Sequence, residues 1–119
     1  MSKVIFFLFL ILFSGKVAAD SPILENKGKE LFHSYGCALC HGINGDGNSK
    51  MARKYNPPPT NFHDPKTYHH GADRDSMRRS IQYGIKETNS IMPAFQDIPP
   101  EEIDQIITYL QSLQIRRGL

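Results

Sequence analysis

The 119-residue sequence predicts an all-α domain with long loops. Three observations carry that class. Apolar residues recur at helical spacing in three segments. Between Gly42 and about Gly71 the chain is mostly turn chemistry, with "GINGDGNSK", "YNPPPTNF" and "HDP". No period-two alternation marks a strand, and no internal repeat is present.

The first nineteen residues read as a secretory signal peptide, and residues 20–119 as one domain. Lys3 supplies the basic start. "VIFFLFLILF", Val4 to Phe13, is an unbroken apolar run, and Val17 and Ala19 stand at the spacing that a signal peptidase reads. An uncleaved anchor is the competing reading, but the run is too short to span a bilayer. Cleavage after Ala19 would remove Lys3 and Lys16, leaving twelve cationic side chains against twelve acidic ones. Such a neutral domain has no basic stripe for nucleic acid and no acidic tail. Export would place it in the periplasm, with no membrane span left.

The first helix places Leu24, Gly28, Leu31, Phe32 and Tyr35 on one face, and Gly36 stops it. A loop of roughly thirty residues in so small a domain needs a rigid object to wrap. The second helix is expected from Asp73, its N-cap, to Tyr83, with Met77 and Ile81 as an i, i+4 pair and Gly84 as its stop. "ETNSIMPAFQD" reads as loop. The last helix opens at Pro99 and Pro100, with Glu101 and Glu102 in its first turn. Ile103, Ile106, Ile107, Leu110 and Leu113 form its buried stripe. Arg116 and Arg117 suit its C-terminal dipole, and Gly118 ends it. Much of the apolar composition lies in the signal, so the remaining core is thin and something else has to fill it.

"YGCALCHGINGDG" holds the only two cysteines, Cys37 and Cys40, with His41 directly after them. A disulfide, a dithiol redox centre, a zinc site and covalent haem attachment all compete for it. Zinc needs more soft ligands than this stretch offers. A dithiol oxidoreductase usually carries its pair in an α/β fold, and no strands are visible. Haem attachment demands this spacing: each thiol adds across one vinyl group, and the next residue then projects an imidazole over the ring face, where it binds iron. One covalently bound haem c also explains the loop and the thin core.

Iron held by His41 has one axial position left. Met51, Met77, Met92, His33, His63, His69 and His70 are the candidates. Met77 reads as a core residue of the second helix, Met51 as a loop residue, and His69 and His70 as solvent-exposed. Met92 stands in "SIMPAF", where Pro93 restrains the backbone just after an otherwise unexplained apolar loop methionine.

The segments "CALCHG", "PPPTNF", "SIQYGI", "IMPAF" and "EEIDQIITYLQSL" stand in the order found in small bacterial class I c-type cytochromes, a family that the chain resembles from about Gly28 to Leu113. The resemblance implies three or more helices and long loops around one covalent haem. It implies Cys37 and Cys40 as haem-binding residues and His41 and Met92 as axial ligands. Gly28 and Phe32 match the glycine and aromatic of the family's first helix, and Tyr109 the aromatic of its last. It also implies that a proline carbonyl, from Pro57, Pro58 or Pro59, accepts the proton on the second nitrogen of His41. The chain departs from the family in one extra residue between Phe32 and Cys37 and in a long loop before the prolines.

A thioether favours Fe(II), so a His/Met pair in an apolar pocket implies low-spin haem iron cycling at positive potential. The sequence shows no substrate pocket or acid–base set, so the chain reads as an electron-transport protein and not an enzyme. The first expectation is a monomeric periplasmic carrier meeting redox proteins transiently, with Arg53, Lys54, Arg78, Arg79 and Lys86 as a candidate docking patch. The second is a dedicated cytochrome c subunit of a larger periplasmic oxidoreductase. The third is a haem ligand sensor or peroxidase with a displaceable Met92.

Overall fold

The computed structural model describes residues 21–116. The expected signal peptide and the cleavage point before Asp20 lie outside the described residues, as do Arg117 and Gly118. The described residues form four helices and one hairpin: α1 (Ser21–Ser34), α2 (Cys37–His41), α3 (Arg74–Tyr83), β1 (Ile85–Glu87), β2 (Ser90–Met92) and α4 (Pro100–Arg116). Two 3-10 turns, Ala52–Lys54 and Pro65–Thr67, punctuate the long loop. No helix among the described residues is long and apolar enough to cross a membrane.

The core is the seam between α1 and α4. The stripe expected on α4 is buried, and Tyr109 joins it. Phe32 meets it from α1, its ring edge-on to Tyr109 with centroids 5.5 Å apart. These helices touch through Gly28. A Cβ there would run into the Gln105 carbonyl oxygen and stand 2.8 Å from the Tyr109 Cβ, so only glycine permits the approach.

Helix α3 begins where expected. Asp73 has extended backbone, and its carboxylate accepts the Ser76 N–H at 3.0 Å. Gly84 ends the helix at φ 70°, a conformation that L side chains rarely adopt. Two arginines then fix α3 to α4. Arg74 donates to the Asp104 carbonyl, the Thr108 hydroxyl and the Gln111 side chain, while Arg78 donates to the Asp104 carboxylate at 2.5 Å and to Asp75. Half-exposed ion pairs are worth only about 0–1 kcal/mol each, so they set the register of the two helices more than they stabilise it.

Hydrogen bonding from the Ser76 side chain, and then from the Ser76 N–H, holds the Asp73 carboxyl below the usual carboxylate range. A depressed folded value means that the cap's stabilisation is present above about pH 4, where the unfolded carboxyl ionises, and is lost as pH falls through the lower folded value. Asp73→Ala is therefore expected to lower stability at neutral pH and leave it nearly unchanged in strong acid, as denaturant titrations across pH will read.

The hairpin corrects the sequence reading, which took this stretch as loop. Ile85 pairs with Met92, Lys86 with Ile91 and Glu87 with Ser90. Strands of three residues are too short to display a period of two, so the sequence carries no signal for them. Helix α2 is likewise a single turn, too short to register as amphipathic. The long loop is closed by its own bonds: Phe62 N–H to the Gly45 carbonyl (2.8 Å), Gly47 N–H to the His41 carbonyl (2.7 Å) and Tyr68 hydroxyl to the Phe62 carbonyl (3.1 Å).

Candidate haem site

One face of the core is open. Phe32, Phe62, Met77, Ile81, Ile106 and Leu110 belong to the buried cluster and also floor a cleft that is continuous with solvent at its mouth. The expected long loop, α2 and the hairpin wall it. Its lining is mostly hydrocarbon and aromatic, so a flat apolar body seated there would complete the core.

Cys37, Cys40, His41 and Met92 all line this cleft. Helix α2 explains the first three. Gly36 enters it at φ 79° and Gly42 leaves it at φ 84°, so the single turn is bounded by glycines on both sides. Within one turn, Cys37 and Cys40 at i, i+3 fall on the same face. Both thiols are free and half-buried. Burial pushes the Cys37 thiol up to about 11. A dithiol redox centre needs the opposite, a thiol stabilised as thiolate. No group of three or more His, Cys, Asp or Glu side chains among the described residues could hold a metal ion, which leaves the zinc reading without ligands.

The His41 ring is fixed on two sides. Nδ1 lies 3.1 Å from the Thr60 carbonyl oxygen, and the ring packs on Phe62 with centroids 4.6 Å apart. A carbonyl only accepts, so Nδ1 carries the hydrogen and Nε2 keeps its lone pair. Burial lowers the His41 pKa, and the Thr60 carbonyl offsets that only in part, so the imidazole is neutral, as a metal ligand must be. The partner is thus Thr60 and not Pro57, Pro58 or Pro59. The prolines do line the cleft, but Pro59 turns its carbonyl toward Gly47, where a Cβ would sit 2.8 Å away. The bonds from Phe62 to Gly45 and from His63 Nε2 to the Asn44 carbonyl (2.8 Å) set this register. A backbone carbonyl leaves no mark on residue type, so the sequence carried no signal for Thr60.

The other sixth-ligand candidates separate by position. Met77 is buried in the core beneath the cleft, Met51 is 38% exposed and does not line it, and His63 is occupied at Asn44. His33 is exposed on α1, its ring edge on Phe32. His69 and His70 are exposed, as expected, yet both stand at the cleft wall, and His70 is bonded to Glu87. Met92 is half-buried on β2 and packs against the core. Gly84 makes its approach feasible, since a Cβ there would lie 2.5 Å from the Met92 carbonyl oxygen. In the candidate docking patch, Arg78 is taken up by Asp104 and Asp75, while Arg53, Lys54, Arg79 and Lys86 are exposed.

A helical shell around an apolar cleft, with paired thiols, a neutral imidazole and a thioether at its walls, defines a c-type haem protein. The sequence model of the cytochrome c family matches residues 25–114, and the chain belongs to that family. Its relatives include cytochrome c oxidase subunit 2 of Alkalihalophilus pseudofirmus, 27% identical over 107 residues, which span 86% of this chain and 29% of that protein. Another is the cbb3-type cytochrome c oxidase subunit FixP of Azorhizobium caulinodans, 31% identical over 101 residues, 84% of this chain and 30% of that protein. The chain thus spans just under a third of the length of either relative. Membership implies covalently attached haem c and haem-based electron transfer.

Proposed function

We propose that the chain is a periplasmic one-electron carrier in which Cys37 and Cys40 hold the haem and His41 and Met92 ligate its iron. The observation that carries this reading is the shared cleft: all four side chains line it, and the bond from His41 to Thr60 leaves Nε2 free to coordinate. Bound haem supplies Fe(II)/Fe(III) exchange. The protein's own residues do the rest. Thr60 orients His41 and strengthens it as a donor. The thioether of Met92 favours the ferrous state and raises the potential. The apolar floor excludes water, and the buried α1–α4 seam keeps the walls from rearranging as charge changes. Leu39, 66% exposed between the two cysteines, and Ile91, 57% exposed beside Met92, give the cleft region an apolar surface suited to brief contact with redox partners. Potentiometry on the exported protein is expected to give a single one-electron couple at positive potential. A midpoint below about −100 mV would contradict methionine ligation.

The names of the relatives favour a second reading, in which the same domain is the dedicated electron-accepting subunit of an oxidase complex. Co-purification with an oxidase chain would support it. A monomer on a sizing column that serves several reductants would support the free carrier.

A further inference from the structure

Met92 stands at the base of a short hairpin whose tip has little to hold it. Two three-residue strands are marginal by themselves. At its base the hairpin is secured: Gly84 packs under the Met92 carbonyl, and Phe95 N–H donates to the Ile81 carbonyl of α3 at 2.9 Å. Its turn, Thr88 and Asn89, is exposed, and only two bonds tie that end to the rest of the described residues. The Asn89 carbonyl accepts from Asn56 N–H at 3.1 Å. Glu87, in the pair next to the turn, accepts from His70 Nε2 at 2.8 Å.

We propose that the His70–Glu87 bond is a latch that holds the hairpin tip against the long loop and so keeps the cleft wall beside Met92 closed to competing ligands. The inference rests on the reading of Met92 as axial ligand. A segment fixed at its base and tethered at its tip swings out from the tip when the tether fails, and such openings come from the least stable parts of a fold. His70 belongs to the long loop and Glu87 to β1, and both line the cleft, so their bond closes the loop wall onto the hairpin wall. Its members are 44% and 35% exposed, which makes it a weak, easily opened contact rather than a structural pillar. His70 and Glu87 are positioning residues, acting on the iron site only through the hairpin.

The test is displacement of the sixth ligand by imidazole in the oxidised haem protein, followed by stopped flow as loss of the far-red sulfur–iron charge-transfer band. His70→Ala and Glu87→Ala are each expected to speed displacement about two- to fivefold, the range of a half-exposed hydrogen-bonded pair. The double variant should be no faster than either single one, because both remove the same bond. Amide exchange of residues 85–87 and 90–92 should quicken in parallel, while Thr88→Ala should match the parent. Wild-type displacement rates in both single variants, or effects that multiply in the double variant, would overturn the latch while leaving Met92 as ligand. A parent protein lacking the far-red band would overturn the ligand assignment and the latch with it.

Discussion

Met92→Ala is expected to retain its covalently attached haem but lose the far-red sulfur–iron band and fall in reduction potential by on the order of 100 mV or more. On the proposed reading, covalent attachment depends on Cys37 and Cys40, which stand on α2, not on β2. The fold has its own anchor in the α1–α4 seam. The variant should therefore export and colour normally. What it loses is the soft donor that favours Fe(II), and with it the position from which external ligands are excluded, so carbon monoxide should bind the reduced variant readily. Met51→Ala and Met77→Ala separate the alternatives. Met51 does not line the cleft, and its removal should change neither band nor potential. Met77 is 5% exposed in the core. Its loss should cost about 2–5 kcal/mol of stability while the band survives. If Met77→Ala abolished the band and Met92→Ala did not, the ligand assignment would be reversed.

Gly28→Val is expected to be the most damaging change outside the haem site. The space a side chain would need is already filled by the Gln105 carbonyl, which cannot move without breaking the backbone of α4, and by the Tyr109 Cβ. Overpacking of this kind costs about 1–3 kcal/mol where flexible side chains can yield, and more where the obstacle is backbone. Because Ile106 and Leu110 of α4 both line the cleft, a displaced α4 also deforms the floor that a bound haem would need. Low yield of haem-loaded protein and a melting temperature reduced by ten degrees or more, on the order expected for such a loss in a domain of this size, are the anticipated results. Gly28→Ala should fall between the parent and the valine variant.

How far the sequence could be read follows from how each feature is encoded. The α4 stripe, the Asp73 cap, the Gly84 stop and the C-x-x-C-H cluster were all legible because each is a local signal, a spacing or a residue type with one dominant use. The close approach at Gly28 was anticipated through resemblance and has its physical reason in the Gln105 carbonyl. What stayed hidden is non-local or belongs to the backbone. Strands as short as β1 and β2 carry no period. The support of His41 comes from the main-chain oxygen of Thr60, which no residue type marks, whereas the neighbouring proline run is conspicuous. The Arg78–Asp104 pair joins residues 26 positions apart, and the His70–Glu87 pair residues 17 apart. Arg78 therefore looked like free surface charge, and His70 like a solvent-exposed loop residue, until the fold placed their partners.

The most direct test of the central assignment is the intact mass of the purified protein, taken before and after treatment with a thiol-alkylating reagent under denaturing conditions. With Cys37 and Cys40 both joined to one tetrapyrrole, the chain should carry the mass of a single haem that denaturation does not release, and no alkyl group should be added. A colourless chain of unmodified mass, taking up two alkyl groups directly or after reduction, would contradict it.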